Sequence, residues 1–265
     1  MGTFMKFSKI ILLVLSLLCA SAVFAEAVGT KKRAPKPDEY GNVVINNYSE
    51  KARIAPVVFS HWLHRAKYTC RLCHVDLGFA MEAGETFIRD EDNRNGLYCG
   101  ACHDGKKAFN SQVRNGEEQD TSNCDRCHSL GKDIQPETNF YEFVKDFPRS
   151  RFGNRVDWLK AEEDGHLKLK DYLKGISIKR GDLKYPEDFE IDAKFSEMPE
   201  IIFSHEKHAV WNGCELCHPQ IFSIQKTRTV YDMQDIFDGK YCGACHGSVA
   251  FTAMDCQLCH SKLPN

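Results

Sequence analysis

The sequence predicts a mostly irregular fold with short α-helices, arranged as two tandem modules, and three observations carry that prediction. A five-residue frame, C-x-x-C-H, occurs six times. The frames form two sets of three, the first frames lying 144 residues apart and the middle ones 143, with a shorter loop before the third frame in the second half. With only about 40 residues per frame, the chain is too short to close an ordinary apolar core around each, so regular structure should be sparse.

In chain order, residues 1–25 read as a secretory signal peptide. Lys6 and Lys9 precede an apolar run, and Val23-Phe24-Ala25 supplies the small-residue exit. The apolar run is too short for a comfortable membrane helix, and Leu18 before Cys19 is a poor lipid-anchor site, which leaves a lipoprotein as the minor alternative. No later span is apolar enough to cross a bilayer, so the expected product is exported and soluble. The full chain has a formal net charge of −2, and loss of Lys6 and Lys9 makes the mature chain two units more negative. That balance disfavours nucleic acid as a partner. Residues 26–50, with the basic, proline-bearing run Lys31-Lys32-Arg33-Ala34-Pro35-Lys36-Pro37, read as a solvated N-terminal tether.

Twelve of the thirteen cysteines lie beyond the signal peptide, and all twelve belong to the frames: Cys70/Cys73/His74, Cys99/Cys102/His103, Cys124/Cys127/His128, Cys214/Cys217/His218, Cys242/Cys245/His246 and Cys256/Cys259/His260. In an exported chain an even dozen would ordinarily suggest six disulfides. Zinc sites and redox dithiols also use C-x-x-C. None of these explains a histidine after every second cysteine. Covalent haem attachment does, because two thiols three residues apart reach the two vinyl groups while the next imidazole ligates the iron. Six haem c groups are therefore expected.

The repeat supplies further iron ligands. Phe203-Ser204-His205-Glu206-Lys207-His208 aligns with Phe59-Ser60-His61-Trp62-Leu63-His64, and Tyr241-Cys-Gly-Ala-Cys-His246 aligns with Tyr98-Cys-Gly-Ala-Cys-His103. A low-spin electron carrier needs two axial ligands per iron. Histidines three apart on a helical turn share one face, so His61 and His64, and again His205 and His208, can each serve two neighbouring haems.

These motifs resemble the triheme cytochrome c7 proteins, relatives of the tetrahaem cytochromes c3, and the longer cytochromes that string such domains together. The resemblance spans about 55–135 and 195–265. It implies two tandem c7/c3-like triheme modules with haem-filled cores, at 51–135 and 195–265, joined by a connector with short helices at 136–194. It further implies that His61 serves the haem of His74, His64 that of His103, His205 that of His218 and His208 that of His246. A short β-hairpin is expected near the start of each module, around 54–59 and 200–203, and helices in the connector near 155–164 and 167–173. Phe59, Phe203, Tyr98, Tyr241, Phe109 and Phe251 recur between the repeats and are expected to pack against haem faces.

The simplest family members place another histidine before the middle motif, and neither half has one here. Met233, nine residues before Cys242, and Met81, eighteen before Cys99, are the candidate sixth ligands for the haems of His260 and His128; a thioether ligand raises the potential. A packing role is the rival for each methionine; for the haem of His128, His166 and an open coordination site are the further alternatives. The expected function is single-electron relay between redox protein donors and acceptors of the bacterial cell envelope, in the periplasm, in anaerobic or metal-linked respiration. Two rivals remain: a multihaem reductase of a small oxyanion acting at a haem without a distal histidine, and a subunit of an outer-membrane cytochrome complex.

Overall fold

The computed structural model describes residues 34–111, 123–130, 138–193, 197–226 and 228–262. The signal peptide expected over 1–25, Cys19 and the basic run at 31–33 lie outside the described residues. No described helix is long and apolar enough to cross a membrane.

Regular structure is sparse. The described helices are α1 (His61–Arg65), α2 (Asp90–Arg94), α3 (Phe140–Phe143), α4 (Trp158–Glu163), α5 (His205–Asn212), α6 (Met233–Phe237), α7 (Gly243–His246) and α8 (Cys256–Cys259). Strand β1 (Asn42–Ile45) pairs antiparallel with β2 (Val57–Ser60), and β3 (Phe189–Ile191), β4 (Glu200–Phe203) and β5 (His260–Lys262) form an antiparallel sheet in that order. Both repeats obey one plan. A strand, β2 or β4, leads through a serine into the helix that opens on a histidine, α1 or α5. The third attachment motif then returns to that strand, with His128 bridging Val57 and His260 facing Ile201.

The strands fall where hairpins are expected, but their partners come from further away. β2 takes β1 from the stretch read as a tether, and β4 takes β3 from the end of the connector. The connector also differs from expectation. Asp157 caps α4 by accepting from the Lys160 amide, and Gly165, at φ +77, lies just past its end. No helix forms over 167–173. Instead Lys170 exchanges backbone hydrogen bonds with Lys67 and Thr69, so the first repeat takes up the polar groups a helix would have used.

An ordinary apolar core does exist, and it sits where α1 meets the connector. Trp62, Ala66, Phe140, Val144, Phe147, Val156, Trp158, Ala161 and Leu167 form one buried cluster. The Trp62 ring meets Phe140 edge-on at 5.0 Å, and Trp158 donates its indole N–H to buried Asn154 at 3.2 Å. This core explains why the two residues inside the first histidine pair are Trp62 and Leu63, whereas the second pair encloses exposed Glu206 and Lys207.

The middle motifs share a second packing constraint. Tyr98 and Tyr241 hold positive φ values of +45° and +52°, turning the chain so that the next glycine backs onto the preceding helix. A Cβ on Gly100 would lie 1.9 Å from the carbonyl oxygen of Asn93, and one on Gly243 would lie 1.9 Å from that of Ile236. Only glycine fits at the centre of Y-C-G-A-C-H.

Two stability predictions follow from this packing. Trp62→Ala should lower the unfolding free energy of the haem-loaded protein by about 3–5 kcal/mol, read by denaturant titration. Gly243→Ala should cost about 1–3 kcal/mol through overpacking, while Gly181→Ala, with nothing within 4 Å of its added methyl, leaves the midpoint unchanged.

Candidate functional site

Every one of the six motif histidines is held by the same device. The Nδ1 of His74 lies 2.9 Å from the carbonyl oxygen of Phe79, His103 3.2 Å from Phe109, His128 2.8 Å from Ala55, His218 2.8 Å from Phe222, His246 3.0 Å from Phe251 and His260 2.8 Å from Pro199. A carbonyl oxygen only accepts, so Nδ1 must carry the proton and Nε2 is left with its lone pair. That is the tautomer and the orientation that a metal-bound imidazole requires.

The paired histidines follow the same rule with one exception. His61 donates from Nδ1 to Gly41 at 2.6 Å, His64 to Ser60 at 3.0 Å and His208 to Ser204 at 2.7 Å. The Nδ1 of His205 is buried without a partner. Gly41 precedes β1, and its φ of +79 lets its backbone come close to His61. The recurring phenylalanines complete the mounting: Phe59 and Phe203 lie 4.4 and 4.5 Å from the rings of His64 and His208, and Phe109 and Phe251 lie 4.3 and 4.1 Å from those of His103 and His246. Their visible partners are thus the imidazoles.

Burial favours the neutral form of six of these rings, the form that ligation demands. Desolvation pushes His64 down to about 4 and His246 down to about 4, against the opposing pull of their carbonyl partners. His61, His74, His103 and His208 are shifted downwards for the same reason.

The structure brings two of the implied pairs close together. The ring centroids of His64 and His103 are 6.3 Å apart, and those of His208 and His246 are 6.1 Å apart. With metal–nitrogen bonds of about 2 Å and ring nitrogens roughly 1 Å from the ring centre, two imidazoles on opposite sides of one metal stand about 6 Å apart. His61 lies near enough to His74 for their charges to interact.

The cysteines fit porphyrin attachment better than the rival chemistries. All twelve described cysteines are free of disulfides. Among the described residues no three His, Cys, Asp or Glu side chains converge as a zinc site would need. A haem asks instead for two donors on one axis and two thiols at its edge; the donor pairs His64/His103 and His208/His246 stand at a fitting separation, and each motif histidine directly follows its cysteine pair.

The remaining sequence candidates are less well placed. Met233 opens α6 and is 37% exposed, and Asp90, its equivalent nine residues before the middle motif, opens α2. Met81 is half-buried in an irregular stretch. His166 is exposed, its ring 5.2 Å from that of Phe147 in the connector. Sequence reasoning missed the carbonyl partners of the histidines, because a backbone oxygen carries no residue signature. Phe59 and Phe203, each directly before the serine that leads into a histidine pair, are visible in the sequence, and the structure adds their contacts with His64 and His208.

Comparison with known proteins agrees with the two-repeat plan. The family described as cytochrome c7 and related cytochrome c matches residues 57–129 and 201–261, one span in each repeat and together just over half of the chain. Among solved structures, a c7-type three-heme cytochrome domain is 34% identical over 29% of this chain and 95% of its own length, with a TM-score of 0.27. The C-terminal hexaheme fragment of GSU1996 is 26% identical over 87% of this chain and 99% of its own, at 0.26, and the dodecaheme cytochrome c GSU1996 is 25% identical over 88% of this chain and 76% of its own, at 0.27. The search of curated proteins gave no match. Six C-x-x-C-H attachment frames, and a family span laid on each repeat, make this chain a member of the cytochrome c7 and related cytochrome c family, carrying six haem c groups.

Proposed function

We propose that this chain is a hexahaem electron carrier of the bacterial cell envelope, passing single electrons between redox protein partners in anaerobic or metal-linked respiration. The observation that carries the reading is the pair of histidine couples, His64 with His103 and His208 with His246, at the separation of two imidazoles on one metal. Haem supplies the one-electron chemistry, cycling between ferrous and ferric states. The polypeptide holds the imidazoles neutral and oriented, keeps water from them and sets the spacing. A metal with both axial positions filled exchanges electrons without binding a substrate.

The ligand set proposed for four irons is His61 with His74, His64 with His103, His205 with His218 and His208 with His246. For the irons of His128 and His260 the proposed sixth ligands are Met81 and Met233, on the sequence grounds that each repeat keeps one methionine there. Export to the periplasm rests on the signal peptide read at 1–25, and the domain limits 26–50, 51–135, 136–194 and 195–265 on the repeat. Association with an outer-membrane cytochrome complex is an outcome that cross-linking in envelope fractions would show.

Redox titration followed by low-temperature EPR tests the ligand set. Four low-potential bis-histidine signals and two at higher potential are expected, and six indistinguishable signals would contradict the methionine assignment. His208→Ala should convert one low-spin iron to a high-spin form that binds carbon monoxide. Carbon monoxide binding by the unsubstituted reduced protein would instead favour the reductase.

A further inference from the structure

The repeats carry opposite charges at one equivalent position. Arg71 lies between Cys70 and Cys73, and Glu215 lies between Cys214 and Cys217. Both approach the α-carbon of Gly213, where an added Cβ would lie 2.5 Å from the Glu215 carboxylate, 3.0 Å from Cδ of Arg71 and 3.5 Å from the Arg180 guanidinium. The two first attachment loops therefore meet here, across the boundary between the repeats.

A network of charge, buried at Arg71 and Asp76 and half-buried at Asp171 and Arg180, runs through the meeting point. Arg71 pairs with Asp76 at 2.9 Å, their side chains 4% and 5% exposed, and donates to the carbonyl of Ile178 in the connector at 3.4 Å. Asp171, also in the connector, accepts from the hydroxyl of Thr69 at 2.8 Å and from Nε of Arg180 at 2.7 Å. Arg180 then donates to the carbonyls of Ala209 and Val210, both at 3.2 Å. Those carbonyls belong to α5, the helix that carries His205 and His208. A continuous path thus links the residue before Cys70 to the ligand helix of the second repeat.

A second arm lies on the other side of α1. Arg65, next to His64, donates to the carbonyl of Val249 at 2.5 Å, and its guanidinium lies 5.2 Å over the Trp158 ring. Tyr40 donates to Ala250 at 3.3 Å. Residues 249–250 sit in the loop whose Phe251 carbonyl orients His246. The sulfur of Cys245 lies near enough to those of Cys70 and Cys217 for their charges to interact, so three attachment sites from the two repeats lie close together.

Buried charges tolerate no loss of a partner, which makes such a network a device for fixing register. We propose that Arg71, Asp76, Asp171 and Arg180, together with Arg65, are positioning residues for electron exchange between the repeats. They lock the Cys70–His74 attachment site against the first two attachment sites of the second repeat. This rests on the electron-relay reading. The connector is then part of the relay's alignment, because two of the charges and one of the carbonyls in the path are its own.

Two NMR measurements on the full-length, haem-loaded protein test the proposal. In the fully reduced state, nuclear Overhauser contacts are expected between porphyrin substituents at Cys70/Cys73 and those at Cys214/Cys217 or Cys242/Cys245; their absence overturns it whatever any variant does. In partly oxidised samples, Arg180→Gln should keep six haems and fast exchange within each group of three, yet slow exchange between the groups on the order of tenfold. Arg180→Lys should restore part of the rate, and Asp171→Asn, at a more exposed position, should reproduce the slowing. Unchanged exchange between the groups in both Arg180→Gln and Asp171→Asn also overturns it. Unsubstituted protein that exchanges within each group but not across defeats the positioning role alone, whereas protein whose haems exchange no electrons defeats the relay reading itself.

Discussion

A metal-bound imidazole can be useful only in one tautomer and one orientation, and in this chain a single backbone hydrogen bond fixes both. Nine of the ten histidines in the motifs and pairs give their Nδ1 proton to a carbonyl oxygen, leaving Nε2 for iron. The rest of the fold can be understood as the means of delivering those carbonyls. Short loops do it locally for His74, His103, His218 and His246, while the strands do it at long range for His128 and His260, whose partners Ala55 and Pro199 precede β2 and β4. A fold with so little regular structure is rigid where it matters because all of these histidines but His205 are tied to the main chain.

Much of this was legible in the sequence, for a physical reason. Covalent attachment needs thiols at fixed short spacing and an adjacent imidazole, so the chemistry is written locally and twelve cysteines with six histidines announce it. The i, i+3 histidine pairs begin helices α1 and α5 because a strand and a serine lead into each, again a local pattern. What the sequence hid was long-range. The Asn42–Ile45 strand has a β-branched, alternately exposed pattern that could have marked it, but it sits beside a basic, proline-bearing run that reads as tether. The extended path of 167–173 was set by pairing with Lys67 and Thr69, a contact across a hundred residues that no local propensity reports. The contrast between Trp62-Leu63 and Glu206-Lys207 was the one visible sign that α1 buries its outer face and α5 does not.

The connector shows how two repeats of one plan become a single unequal body. Its aromatic residues close a core against α1, and its charged residues reach α5. The first attachment loop is thereby held from both sides, by its own repeat through the carbonyl partner of His74 and by the connector through Asp171 and the Ile178 carbonyl. Such mounting leaves the histidines little freedom to rearrange, which suits the proposed electron carrier, in which an iron would change its charge and keep its coordination.

The most direct test of the account is the intact mass of the exported protein, measured together with its reduced absorption spectrum. The account predicts a polypeptide lacking the signal peptide plus six covalently bound haem groups, with the sharp reduced bands of low-spin c-type haem. A mass equal to the bare polypeptide, or one accounted for by zinc or by paired cystines, would contradict it.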